Sequence, residues 1–589
     1  MPGVPPPSFP PREAPVPWAS SIPLGVFALT GPLGRGGHSV VWAGVHPATG
    51  TPVAVKVLAP RFARDPVHLS AFRNEIRAAG RLHHPHVVLV HGHGLVDGRA
   101  AAASGGRLAV GAPFLVMEPV RGGTLRDHLG TPPWPRLQEL LLGLLAGLAH
   151  AHARGVIHRD VKPDNVLLAR AGGPPKLADF GFAHGLELDR GAAFDREFAG
   201  TPAYMAPEQL RLRWRDYGPW TDLYGLGCVA YALACGRPPF GANRNAEDLK
   251  AAHTHGEIPR LAPRMEVPRG FDSWIRKLLV KDPERRCRRA ADAARALRLL
   301  TADPTGAGSG PISLLGSRVP GPPRPPLPLA THGLLGVRPL PLLAREEEQD
   351  VLWDTLRDVS LTRRAAVFGL CGPRGTGATA LAAKLGERAH AAGAATVLRA
   401  AHSREPSSPD GLLPMLRRSV RTAGLGPGEI VVRLRRGAPL DPARADVLAA
   451  ALHDGSGDLS EVHASIRAHL ARLCVERPVV LHLDDAVVDP GTVAFVASLA
   501  LDPATAAAPI LVIATSTDED RALRPGDAER LDGACALTLA LDPLPVAVLH
   551  LLAADVLGLP PEPAAEAAAR ARGRPGEVVA RAGVHSTKS

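Results

Sequence analysis

His158-Arg159-Asp160-Val161-Lys162-Pro163-Asp164-Asn165 is followed, fourteen residues after Asn165, by Asp179-Phe180-Gly181, and this pairing decides how the first half of the chain is read. It supplies one carboxylate able to orient a hydroxyl and two oxygen ligands for a hard divalent cation. Upstream lie a glycine-rich turn, Leu33-Gly34-Arg35-Gly36-Gly37-His38-Ser39-Val40-Val41, and a strand-like run, Val53-Ala54-Val55-Lys56. A helical stretch from Leu69 to Leu82 carries Glu75, and Phe114-Leu115-Val116-Met117 reads as a buried strand entering a turn at Glu118-Pro119-Val120. Downstream come Gly200-Thr201-Pro202-Ala203-Tyr204, Ala206-Pro207-Glu208, Asp222 and Asp282-Pro283-Glu284-Arg285-Arg286. A glycine-rich turn alone is weak, because glycines also make hairpins. A lysine on the next strand and two acidic loops further on give it meaning.

Together these stretches resemble the eukaryotic-like (Hanks-type) bacterial serine/threonine protein kinases. The resemblance implies an α+β bilobal protein-kinase fold, Mg2+ and ATP as cofactors, and protein substrates phosphorylated on Ser or Thr. It implies that Leu33, Gly34, Arg35, Gly36, Gly37, His38, Ser39, Val40, Val41 and Ala54 cover ATP, with Ser39 where the family has its third glycine. Lys56, ion-paired with Glu75, would meet the phosphates. Met117 would limit the depth of the adenine pocket, and the backbone of Glu118 and Val120 would bond the base. Asp160 would orient the acceptor hydroxyl, Lys162 would neutralise charge on the transferring group, and Asn165 and Asp179 would hold magnesium. Thr201, able to reach both Asp160 and Lys162, fits the serine/threonine branch. Arg286 matches a partner of Glu208, and Asp222 matches a buried brace of the catalytic loop. Between Gly181 and Thr201 there is no Ser, Thr or Tyr, so Asp195 or Glu197 is expected to supply the charge that a loop phosphate would bring to Arg159.

Composition bounds the remaining choices. A chain of 589 residues with 61 Gly and 60 Pro needs more than one core and long connecting segments. Residues 1–25 read as a Pro-rich disordered tail without a secretion signal, 26–303 as the kinase-like domain, 304–341 as a Pro/Gly-rich linker, and 342–589 as a second domain. No apolar run is long enough for a bilayer, so no membrane partner is expected. Six scattered Cys with no Cys-x-x-Cys pair favour reduced thiols and a cytoplasmic location. The formal charge of +11 is carried almost wholly by arginine spread along the chain, with no basic helix interleaved with aromatics, so nucleic acid is not an expected partner. His83, His84, His86, His91 and His93 match no zinc spacing and are read as a turn after the regulatory helix. Asp97 to Ala112 reads as an enlarged hairpin loop.

In the second half, Val367-Phe368-Gly369-Leu370-Cys371 enters Gly372-Pro373-Arg374-Gly375-Thr376-Gly377-Ala378-Thr379, an apolar strand leading into a glycine-rich turn and an Ala-rich helix. Pro478 to Asp484-Asp485 is an apolar strand ending in carboxylates, and Ala508 to Thr515 is its neighbour. With Leu342 to Glu346 at the start, this resembles the AAA/STAND-type modules and implies an α/β P-loop NTPase-like domain with a parallel sheet. Ala378 stands where such a loop has its lysine, which removes the cationic contact to the outer phosphates and leaves Arg374 as a partial substitute. A degenerate nucleotide-binding or scaffold module, with partner proteins of its own, is therefore expected. Two alternatives follow for the whole chain: a pseudokinase scaffold, or a signalling ATPase with an accessory kinase domain.

Overall fold

The computed structural model describes residues 21–180, 184–185, 202–241, 245–300, 333–335, 337–403, 410–436, 440–499 and 501–581. Short Val-rich runs separated by turns fold into a six-stranded antiparallel sheet at the start of the chain. Its strands are β1 (Ile22–Leu24), β2 (Phe27–Arg35), β3 (Ser39–His46), β4 (Thr51–Leu58), β5 (Val90–Leu95) and β6 (Pro113–Met117), in the order β1-β2-β3-β4-β6-β5. Trp42, Val53, Val55, Val57, Phe114 and Val116 form the core on one face. Helix α1 (Pro66–Gly80) belongs to this layer, and its buried Phe72, Glu75 and Ile76 face inward. It starts three residues before the stretch read from periodicity, because Asp65 caps the Val67 N–H and Pro66 occupies the first turn, where no N–H is needed.

The segment Asp97–Ala112 is not a plain loop. Asp97 accepts from the Ala100 N–H and starts a short helix, α2 (Gly98–Ala103), whose Ala100 is fully buried. The alanine run is a good helix former once capped, and this is what the hairpin reading missed.

The second lobe is helical. Helices α3 (Trp134–Ala153), α4 (Pro207–Leu210), α5 (Pro219–Cys235), α6 (Ala246–Thr254), α7 (Phe271–Leu278) and α8 (Ala290–Arg298) surround the short strands β7 (Val156–Ile157), β8 (Val166–Leu168), β9 (Pro175–Leu177) and β10 (His184–Gly185). In α5 every residue after Pro219 is buried, as expected for a helix without a polar face. The first unit is thus two-lobed, with a sheet lobe above and a helical lobe below.

The second unit is built on a five-stranded parallel sheet. Helix α9 (Glu346–Thr362) precedes β11 (Ala366–Gly372), α10 (Ala378–Ala392) and β12 (Thr396–Ala401). Four helices follow, α11 (Leu412–Val420), α12 (Pro427–Arg435), α13 (Pro442–Asp454) and α14 (Leu459–Leu473), and then β13 (Val479–Asp484), β14 (Ile510–Thr517) and β15 (Leu537–Ala540). The order is β12-β13-β14-β11-β15. Val479, Leu481 and Leu483 face one core while Val480, Leu511 and Ile513 face another, so both sides are covered and the strands read as unbroken apolar runs.

The two units touch. Arg154 of α3 donates to Glu387 of α10 at 2.5 Å, and Arg477 pairs with Asp292 of α8 at 2.9 Å. Arg421, after α11, donates to the Tyr217 carbonyl and lies 4.6 Å from the Trp220 ring, which Arg288 covers at 3.8 Å. Among the described residues, no helix is long and apolar enough to cross a membrane.

Candidate active site

Antiparallel pairing fixes the upper half of the site. Lys56 on β4 stands opposite Val41 of β3 and Leu115 of β6, and Ala54 opposite Met117. The residues singled out along the glycine-rich turn occupy the end of β2 (Leu33, Gly34, Arg35), the turn itself (Gly36, Gly37, His38) and the start of β3 (Ser39, Val40, Val41). The turn is closed by Gly36 N–H donating to the Ser39 carbonyl at 2.8 Å and by Arg61 donating to the Gly37 carbonyl at 2.7 Å. None of these three glycines has a positive φ, and a Cβ on Gly34 or Gly37 would meet nothing within 4 Å. The chain's own packing therefore gives no reason for glycine at either position.

The Lys56 ammonium reaches both expected carboxylates at once, Glu75 Oε1 at 2.6 Å and Asp179 Oδ1 at 2.8 Å. Burial alone would lower its pKa, but the charges of Asp179 and Glu75 outweigh burial and hold it above the ordinary lysine value. Burial pushes the Glu75 carboxyl up to about 7 against the pull of Lys56, whereas the Lys56 charge holds Asp179 down to about 2. Asp179 has φ 61°, a left-handed backbone that a non-glycine residue keeps only where its surroundings demand it.

The lower half is the loop from His158 to Asn165. Lys162 Nζ lies 2.7 Å from Asp160 Oδ2, and Asn165 Nδ2 donates to the same oxygen at 2.8 Å and to the Asp160 carbonyl at 2.9 Å. Asp179 is brought to this loop by backbone: Ala178 N–H donates to the Asn165 carbonyl at 2.9 Å, and the Ala178 carbonyl meets His158 Nε2 at 2.9 Å. Buried Asp222 accepts from the backbone N–H of His158 at 2.9 Å and of Arg159 at 2.7 Å, and it pairs with His152 at 2.7 Å. Arg159, at φ 67°, carries its guanidinium 4.6 Å from the Tyr217 ring. Arg286 grips both oxygens of Glu208, at 2.8 and 3.0 Å, with both side chains buried. Lys56, Glu75 and Asp179 are thus one cluster, and Asp160, Lys162 and Asn165 a second one joined to it. Thr201, Gly181, Asp195 and Glu197 lie outside the described residues.

At the turn between the lobes, the Glu118 N–H donates to the Leu89 carbonyl at 2.8 Å, so Glu118 keeps only its carbonyl for a base. Its side chain accepts from Lys176 at 2.6 Å and from the Leu89 N–H at 2.8 Å, a brace the sequence reading missed. Also missed was the two-toothed contact of Arg126 with Asp164, at 2.5 and 2.8 Å. Neither pair is marked by a local pattern, since 58 and 38 residues separate the partners.

Residues 27–297 match the protein kinase domain family. The chain is 35% identical over 285 residues to the serine/threonine-protein kinase PknH of Mycobacterium bovis, covering 48% of this chain and 45% of PknH. It is 34% identical over 261 residues to the serine/threonine-protein kinase PknL of Mycobacterium tuberculosis, covering 44% of this chain and 61% of PknL. The chain thus spans about half the length of the curated relatives it matches. The two-lobed unit is the part that carries the kinase-domain match.

The second unit has its own carboxylate cluster at the strand ends. Asp484 accepts from Thr379 Oγ1 at 2.7 Å and Thr515 Oγ1 at 2.8 Å, and it pairs with Arg399 at 3.1 Å. Gly375 and Gly377 have φ of +86° and +104°, so the turn after β11 needs glycine for its shape. That turn is already engaged. The Arg374 N–H points to the Glu519 carboxylate at 3.2 Å, its guanidinium pairs with Asp520 at 3.5 Å, and Gly576 N–H donates to the Gly375 carbonyl at 3.1 Å. Arg374 thus has a long contact to a buried carboxylate while its side chain stays exposed, and Lys384 faces the Arg154–Glu387 pair of the seam.

Proposed function

We propose that the first unit is a serine/threonine protein kinase that transfers the γ-phosphoryl group of ATP to Ser or Thr hydroxyls of protein substrates. The observation that carries this reading is the simultaneous hold of Lys56 on Glu75 and Asp179, next to a loop in which Asp160 is held by Lys162 and Asn165. Gly34 and Gly37, which the fold itself does not require, fit a flap that must let phosphates come close to backbone. Asp179 and Asn165 are the oxygen ligands suited to Mg2+, which when bound would neutralise the phosphate oxygens and hold them in place.

The residues then divide the work. Lys56, kept charged and pinned by Glu75, draws the phosphates toward the sheet lobe. Asp160 orients the acceptor hydroxyl and takes its proton, and Lys162 offsets negative charge that grows on the moving group. The bidentate Glu208–Arg286 pair anchors the end of the segment on which a protein substrate would lie. On this reading Met117 would border the adenine pocket and the Glu118 carbonyl would accept from the base. The ATP requirement and six free thiols favour action in the cytoplasm.

For the second unit we infer a scaffold with P-loop-type architecture. The turn after β11 emerges at the carboxyl ends of parallel strands, where such sheets bind ligands. Ala378 and the internal partners of Arg374, Gly375 and Asp484 speak for a site closed by its own chain. The deciding experiment is phosphate transfer from labelled ATP to a generic basic protein, comparing wild type with Asp160→Asn. Loss of transfer supports the kinase. Equal transfer sinks it, and phosphate release that survives Asp160→Asn but vanishes on changing Asp484 and Asp485 would make the second unit the active one.

A further inference from the structure

Arg338 stands 258 residues after Gly80 and well beyond the matched kinase domain, yet its guanidinium is buried against the kinase sheet lobe. Its Nε donates to the Gly80 carbonyl at 3.0 Å and its Nη2 to the Val90 carbonyl at 2.7 Å. Gly80 is the last residue of α1, where carbonyls have no partner within the helix and the helix dipole favours a cation. Leu334 is fully buried at the same corner. Val337 lies so close that a Cβ on Gly80 would come within 2.5 Å of its Cγ1, and Gly333 lies against His93 of β5. The chain entering the second unit therefore straps the C-terminal turn of α1 to the start of β5. Burial alone lowers the Arg338 guanidinium to about 10, which leaves it charged at neutral pH.

Glu75 sits on α1 little more than one helical turn before Gly80, so fixing that end of a stiff helix fixes where its carboxylate points. We propose that Arg338 is a positioning residue for phosphoryl transfer: by clamping the last turn of α1 to β5 it keeps Glu75 on Lys56. This rests on the kinase reading above, and it makes that site dependent on a residue outside the matched domain.

The test uses the full chain. Arg338→Met, which keeps the apolar stem and removes the donors, should lower kcat for transfer to a generic basic protein roughly tenfold while KM for ATP moves far less. Hydrogen exchange should quicken in the amides of residues 72–80 and stay unchanged in α5. Arg338→Lys should restore part of kcat. Gly80→Ala gives an independent handle: alanine is the better helix former, yet it should lower kcat by crowding Val337, and adding Val337→Ala should restore it. Wild-type kcat together with wild-type exchange in Arg338→Met would overturn the proposal. If the wild type shows no Asp160-dependent transfer, the kinase reading falls, while exchange in α1 still decides whether the clamp exists.

Discussion

Asp160 and Asp179 in the first unit and Asp484 in the second stand on loops or strand ends that read alike in the sequence, but they keep different company. Asp179 is tied to Lys56, and Asp160 to Lys162 and Asn165, residues to which the proposed kinase reading gives roles of their own. Asp484 is held by two threonine hydroxyls and an arginine, and the neighbouring glycine turn is engaged by Glu519 and Gly576. In the first cluster the partners Lys56, Lys162 and Asn165 are the groups that the proposed kinase reading assigns to phosphate or metal, so on that reading binding would exchange them. In the second, a ligand would have to displace structure. A motif shows which atoms are present, and its neighbours show whether those atoms are available.

The largest effect that could break this contrast is loss of Asp160. Asp160→Asn should reduce transfer about 10³-fold, because the hydroxyl loses both its orienting group and its base. Lys56→Met should follow at about 10²-fold, read from kcat with labelled ATP. On stability, Glu208→Ala should cost about 3–5 kcal/mol in denaturant melts, since it strands the buried Arg286 charge. Asp484→Ala should cost about 1–3 kcal/mol by orphaning two hydroxyls, and leave transfer to protein within about twofold of wild type. A large drop in transfer with Asp484→Ala would end the contrast.

Acid should affect both units alike. Burial lowers His84 and His253 to about 4 and about 3 in the first unit, and His390, His469 and His482 to about 3, about 3 and about 4 in the second. Unfolded chains take up these protons near the ordinary histidine value, so as pH falls below about 6.5 the unfolded state gains and stability declines toward the folded values. Melting temperature measured from pH 7 to pH 5 should fall steadily, and a flat profile would contradict the burial. The smallest expected effect is that of Ala378→Lys in a Lys56→Met background. It should bring no binding of a fluorescent ATP analogue, because the Arg374 N–H and the Gly375 carbonyl already have partners in Glu519 and Gly576; binding that appears with the lysine alone would show the second site to be open.

The grouping of the candidate site in the first unit was legible because its side chains sit in short runs. Asp160, Lys162 and Asn165 lie within six positions, and even the distant Asp222 and Arg286 carry recognisable contexts. Thr201 could be named from the sequence but falls outside the described residues. What escaped was either a cap signal passed over, as with Asp65-Pro66 and Asp97, or a contact between residues far apart in the chain. Nothing near Lys176 announces Glu118, and nothing around Arg338 announces Gly80. Long-range pairs of that kind depend on how finished elements meet, which no local periodicity encodes.

Tyr217 joins two things that are otherwise far apart. Its carbonyl receives Arg421 from the second unit, while its ring lies under the Arg159 guanidinium, one residue from Asp160. Any rotation of the C-terminal half about this seam must either break that bond or drag the ring along. Mechanically, the chain has a lever arm some two hundred residues downstream whose fulcrum rests beside the loop that carries Asp160.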